Sequence, residues 1–392
     1  MKKESIFIVL RIIIFSLITV IVGILSVQSS LNKLRENQQE LFSISQKELE
    51  KILVDEIPYK RQLRNLYSLG LRAQDKAEAR DFYITKTEDG YLQQANYFAE
   101  INPNIATYAK RLAKMNQALK EQTSLLYVGT SGKYIRGVSQ IRSGFPTNDM
   151  VLRNLDELFL ELSYRQINTL DLRRSVPEER NKYQQNYYRT HSIWTDVAAF
   201  HATIQIMNEL QTKKIIVDYA KPYALEKNYQ KEVYPQKMLG DQLHSTGKYF
   251  TDSDDLILLT PKLPVDLTYT DLSTNQTRRG EYYQSVINPV EYARKDTSYF
   301  NASKIYFGTD PKHFKIVNNQ IGNGGKILLL TDSYFLNISP YLALMNQEIE
   351  VVVTESASES KIEKLVEDGN FDVVLVASQS VSIQDSFFNF YK

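Results

Sequence analysis

The 392-residue chain has no cysteine, four histidines and a single tryptophan, and its charges nearly cancel, with 47 Lys+Arg against 46 Asp+Glu. The missing cysteine excludes disulfides, thiolate metal sites, iron–sulfur clusters and a cysteine nucleophile. Four scattered histidines leave little material for a zinc site, so no metal and no cofactor are expected. A formal charge of +1 provides no basic face for nucleic acid. What is present is a 43% hydrophobic share and 26 tyrosines. The length fits one large domain or two ordinary ones with a real core. The tyrosines read first as core and sheet packing, and second as a surface suited to polar ligands such as sugars.

The N-terminus bears on the compartment. Lys2 and Lys3 precede a mostly apolar run from Ile6 to Val27, about one bilayer thickness as a helix. Arg11 interrupts the run near one end, where its stem can snorkel to the headgroups. The run exceeds an ordinary signal-peptide core, and only a weak small-residue site (Val27, Ser29) follows it. The expectation is a cytoplasmic tip at 1–5, a retained transmembrane signal anchor at 6–28, and everything beyond outside the cell membrane, by the positive-inside rule. The absence of cysteine agrees with export from a bacterium that does not rely on disulfides.

Residues 29–75 carry Leu31, Leu34, Leu41 and Ile44 at helical spacing among charged residues, which predicts a helical juxtamembrane stalk. Ile57-Pro58-Tyr59 breaks that helix. The extracytoplasmic body is expected over 76–392. Within it, Asp81 to Leu92 reads as strand, Asp89-Gly90 turn and strand. Helices are predicted over 103–122, over 151–168 with Leu152, Leu155, Leu158 and Leu162 on one stripe, and over 195–210 with Ala198, Ala199, Ala202, Ile206 and Leu210 inward. Residues 124–130 and 167–172 read as strands. From 214 to 320 the pattern turns Thr- and Tyr-rich and alternating, an irregular β-rich insertion. After it, KILLLT, EIEVVV and FDVVLVAS alternate with helical segments, the signature of a parallel sheet covered on both faces.

Leu328-Leu329-Leu330-Thr331-Asp332-Ser333-Tyr334 sets Ser333 just past a central strand, the edge where open α/β sheets do their chemistry. Asp332 or Ser333 would equally well cap a helix. The second stretch is Tyr187-Tyr188-Arg189-Thr190-His191-Ser192-Ile193-Trp194-Thr195. Together with Glu48–Gln62 (ELEKILVDEIPYKRQ), Thr87–Leu92 (TEDGYL) and Ser339–Ala343 (SPYLA), these segments resemble, in order, the DHHW-type, alginate O-acetyltransferase-like branch of the SGNH hydrolase superfamily. That resemblance implies a three-layer α/β fold with a parallel sheet flanked by helices. It also implies a part in modifying cell-surface polysaccharide, with a polysaccharide or teichoic-acid-like glycan as partner and a multispanning membrane acyltransferase as source of acyl groups.

The resemblance breaks at two places: Ala198 stands where the family's later G-A position has glycine, and the family's acid–base pair is altered. The family's motif has an aspartate and a histidine two residues apart, the orienting acid and general base of the serine. Here His191 stands at the aspartate's position and Ile193 at the histidine's, and Ile193 cannot accept a proton. Three readings follow: a Ser333–His191 dyad oriented by Asp196 or Asp332, with an acyl-enzyme as in an O-acetyltransferase or esterase; a catalytically degenerate relative that binds glycan or assists a modifying complex; and a shared architecture with an unrelated function. The degenerate, accessory reading is the expectation. Trp194 reads as a core anchor or a sugar platform, Lys133 as a surface lysine or a contact to an anionic polymer, and Tyr334 as a groove residue. Among the remaining histidines, His201 reads as a helix residue, His244 as a loop residue and His313 as a turn residue. Gly129-Thr130-Ser131-Gly132-Lys133 lacks phosphate-loop spacing.

Overall fold

The computed structural model describes residues 2–36, 57, 59–94, 100–133, 142–145, 150–175, 186–288, 302–307 and 311–392. The chain divides into two compact units, 1–70 and 71–392. In the first, Lys2–Glu36 is one 35-residue helix with Ile13, Leu17, Val20 and Ile24 exposed. Among the described residues no helix is long and apolar enough to cross a membrane. The middle of the expected stalk, the Pro58 break and the first part of the Glu48–Gln62 segment lie outside the described residues. The C-terminal part of the expected stalk is a helix, Lys60–Ala73.

Among its described residues the second unit has thirteen strands: β1 (Glu78–Ala79), β2 (Ile84–Lys86), β3 (Leu92–Gln94), β4 (Ser124–Thr130), β5 (Asn168–Asp171), β6 (Tyr229–Met238), β7 (Asp254–Pro261), β8 (Leu267–Asp271), β9 (Gln276–Gly280), β10 (His313–Asn318), β11 (Lys326–Thr331), β12 (Glu348–Val353) and β13 (Val373–Gln379). The central sheet runs β5-β4-β13-β11-β12-β10-β8-β9. Its first five strands are parallel, and the last three join antiparallel. The continuous apolar runs of β11, β12 and β13 follow from burial on both faces. Ile327 and Leu329 of β11 point into one core with the helices Asp196–Thr212 and Ser339–Met345. Leu328 and Leu330 point into the other, with helices Ile105–Ala118, Met150–Tyr164 and Glu359–Asp368 and the aromatics Phe387, Phe388 and Phe390. Each such leucine contributes about 1.5–3 kcal/mol by leaving water, and together they hold β11 rigid beneath Ser333.

The expected stripes are buried as read: Leu152, Leu155, Leu158 and Leu162 on one helix, Ala198, Ala199, Ala202, Ile206 and Leu210 on another. Asp89-Gly90 turns β2 into β3, with Lys86 opposite Leu92 and Gly90 at φ +86°, which only glycine adopts without strain. The 214–320 stretch is less separate than its sequence suggests. β6 and β7 form their own ribbon, but β8, β9 and β10 extend the central sheet. Alternation such as Leu267, Tyr269 and Asp271 inward is what an antiparallel margin with one wet face produces. His313 is a strand residue rather than a turn residue: it opens β10 and lies buried, Nε2 2.8 Å from Glu350 Oε1 on β12.

Candidate active site

Strands β4, β13, β11 and β12 end at one edge of the sheet. β11 is flanked in parallel by β13 and β12, with Thr331 opposite both Ala377 and Val353. β12 lies on one side of β11 and β13 on the other, the switch point where such sheets open a crevice. Ser333, two residues past Thr331, is exposed and lines a cavity of about 420 Å³ with Asp332, Tyr334, Glu355, Ser380 and Ser382. Gln94, Asn154 and Gln384 complete its polar wall, and Val151, Val381 and Ile383 its apolar one.

Asp332 shapes the turn. Its Oδ1 accepts the N–H of Tyr334 at 2.9 Å and of Phe335 at 3.2 Å, and its Oδ2 accepts the N–H of Gln379 at 2.8 Å. The carboxylate therefore ties the Ser333 turn to the end of β13. Burial raises its pKa to about 6, against those stabilising backbone bonds.

The 187–195 segment lies against this turn. Asn337 Nδ2 donates to Trp194 O at 2.9 Å and Gln379 Nε2 to Ser192 O at 3.3 Å. The Trp194 ring packs edge-on to Phe335, centroids 4.9 Å apart. Ile193 is thus clamped on both sides by groups that flank Ser333 in the fold, and it is buried in the core. The clamp brings residue 193, with its sec-butyl side chain, to the part of the fold that carries the Ser333 turn.

His191 is turned elsewhere. It is buried, its Nδ1 is 3.1 Å from Asp241 Oδ1 without a hydrogen bond in alignment, and it is not among the residues that line the cavity. Burial lowers its pKa and Lys133 adds to that, while Asp241 opposes them, so the ring is neutral at pH 7. Among the described residues no hydrogen bond joins it to Ser333. Lys133, at the end of β4, is buried as well. Its Nζ donates to Tyr188 O and Arg189 O, both at 2.9 Å, and burial lowers its pKa to about 7. Trp194 is 6% exposed and packs as a core anchor, whereas Tyr334 is half-buried and reaches the cavity.

Sequence reasoning missed the residues that hold this loop. Asp254 accepts the N–H of Arg189 at 2.5 Å, the N–H of Thr190 at 2.7 Å and the Thr190 hydroxyl. Asp241 takes Ser192 N and Oγ, each at 3.2 Å. Gly240 sits so close that a Cβ would meet Thr190 O at 2.2 Å. All three come from far along the chain with no local pattern to mark them. Among the described residues no group of three or more His, Cys, Asp or Glu could hold a metal.

Asp196, at the start of helix Asp196–Thr212, accepts from the Tyr306 hydroxyl and, at 3.4 Å, from Leu259 N. Burial raises its pKa to about 7, despite these bonds. Its unfolded pKa is about 4, so between about pH 4 and 7 the folded chain keeps a proton that the unfolded chain has released. Stability must fall as pH rises through that window, by up to about 1.4 kcal/mol per unit. Asp254 and Asp332 are raised too and act in the same sense. Asp196→Asn is expected to narrow the difference in denaturant midpoint between pH 5 and pH 8. An unchanged difference would remove Asp196 as its source.

The serine past a central parallel strand, on an aspartate-tied turn faced by the Tyr187–Thr190 loop, is the candidate site. Residues 84–245 match a family described as SGNH hydrolase-like domain, acetyltransferase AlgX, and within that class the chain is similar to its AlgX-type and DHHW-type branch. Bacillus cereus PatB1, solved with a sulfonyl adduct, shares the fold at TM-score 0.62 and 19% identity, over 79% of this chain and 97% of that one. A DHHW family protein from Eubacterium siraeum does so at TM-score 0.56 and 15% identity, over 78% and 93%. No curated protein matches the chain.

Proposed function

We propose that the chain is a membrane-anchored, extracytoplasmic SGNH-like protein of cell-surface polysaccharide modification whose Ser333 cavity binds glycan without Ser–His catalysis. In that role it assists an O-acetylation system in which a multispanning acyltransferase supplies the acyl group. What supports the reading is Ile193, which stands where the resembling family has its histidine and is held between Ser192 and Trp194, whose carbonyls accept from Gln379 and Asn337. Without a base within about 3 Å, the serine hydroxyl stays protonated and weakly nucleophilic. The cavity remains, and its hydroxyls, amides and apolar wall suit a sugar.

Binding of cell-surface oligosaccharides to the full chain, measured by titration calorimetry, is expected to weaken at least tenfold in Tyr334→Ala and to persist in His201→Ala, whose side chain faces solvent. Ester hydrolysis that vanishes in Ser333→Ala would instead support the Ser333–His191 dyad. Anchoring rests on the apolar run Ile6–Val27, behind Lys2 and Lys3, within the first helix. Alkaline carbonate should leave the chain in the membrane pellet, and its release would contradict anchoring.

A further inference from the structure

We infer that the Ser333 cavity takes an uncharged sugar and rejects a polyanionic one, a distinction that rests on the glycan-binding reading and sharpens it. Two carboxyl groups, Asp332 and Glu355, line the cavity, and the described lining contains no Lys, Arg or His. Glu355 follows β12 as Ser333 follows β11: Thr331 pairs with Val353, and each cavity residue lies two positions further on. Glu355 is held there, its Oε1 accepting from Gln384 Nε2 at 3.2 Å and Ser386 Oγ at 3.3 Å. Its pose is therefore not that of a freely swinging surface side chain.

The basic group at the end of β4 does not compensate. Lys133 is buried and gives its Nζ to the carbonyls of Tyr188 and Arg189. Arg173, just past the edge strand β5 that pairs with β4, is engaged by Asp171 and Asp156. A uronate or phosphate entering the cavity would thus meet like charge with no bidentate partner among the described residues that line it, and like charges in a partly desolvated cleft repel strongly. A neutral sugar meets the hydroxyls of Ser333, Ser380 and Ser382, which both donate and accept, and the side chains of Val151 and Ile383 for its C–H face. The volume of about 420 Å³ falls within the usual range for a small-ligand pocket.

The test titrates the full chain with two probes of equal length, a neutral N-acetylglucosamine tetramer and a tetragalacturonate, at low and high salt. The expected result is that the neutral tetramer binds and the uronate binds at least tenfold more weakly at low salt. That gap should shrink at high salt, because screening weakens repulsion, and shrink again in Glu355→Gln and Glu355→Lys. Equal or tighter uronate binding that ignores both substitutions overturns the inference but leaves the glycan-binding reading standing. Binding of neither probe overturns both. Circular dichroism of each variant confirms its fold, and because Glu355 is exposed at least the isosteric Gln variant is expected to fold.

Discussion

The double substitution His191→Asp with Ile193→His is expected to raise the formation of an acyl-enzyme on Ser333. The loop geometry favours this. Ser192 and Trp194 are fixed by Gln379 and Asn337, so residue 193 is held in place before any base is installed. A positioned general base contributes about 10²–10⁴-fold, and the Ser333 adduct formed with an activated acetyl ester should grow by about that factor. An aspartate at 191 would lie beside Asp241, which stands 3.1 Å from the present histidine. Lys133, whose amine is near half-protonation at pH 7, faces that pair and would gain charge to offset it. Ile193→His alone should therefore yield less, since the imidazole lacks its orienting acid. Replacing a buried isoleucine costs on the order of 2–4 kcal/mol, so thermal unfolding must accompany the kinetics. A folded double variant with no adduct would mean that residue 193 does not reach Ser333.

The second large effect is on stability. Asp332→Ala removes the acceptor of three backbone N–H groups, those of Tyr334, Phe335 and Gln379. Each unpartnered donor in a buried turn costs about 1–3 kcal/mol, and water entering from the adjacent cavity recovers part of that. Relief of a carboxylate that burial disfavours offsets a little more. A net loss of about 3–5 kcal/mol at pH 7 is expected from urea denaturation, and Asp332→Asn, which keeps one acceptor oxygen, should lose less. A loss under about 1 kcal/mol would show that the turn is held by other contacts. Lys133 contributes with the opposite pH sense to the buried acids. Its folded pKa is depressed, so the unfolded chain holds the extra proton between about pH 7 and 10.5, and stability gains with pH across that range.

The parts of this fold that could be read in advance are those where one physical constraint acts locally. β11, β12 and β13 are buried on both faces, so their sequences are unbroken apolar runs. The helix around Leu155 and Leu158 carries a stripe because one side alone meets the sheet. Asp89-Gly90 shows because the backbone there needs positive φ. Ser333 was legible for the same reason, as the polar stop after KILLLT.

What could not be read depends on contacts between distant residues. Asp254 lies 65 residues from Arg189, and nothing near either residue announces the pairing. Lys133 looks like a loop lysine, yet the fold draws the Tyr188 and Arg189 carbonyls over it. β8, β9 and β10 resemble an insertion because antiparallel margins alternate, while the parallel centre does not. His191 offered a base from its place in the family-like segment, but it lies buried beside Asp241 and is not among the residues lining the Ser333 cavity.

The central claim is that Ser333 has a cavity but no histidine base among its described lining residues. The most direct measurement is intact mass of the full chain after incubation with an activated acetyl ester, with Ser333→Ala and His191→Ala alongside. The account predicts no acetyl adduct on Ser333 above the level of the Ser333→Ala protein. An adduct on Ser333 that disappears in both variants would contradict it and establish a working Ser333–His191 dyad.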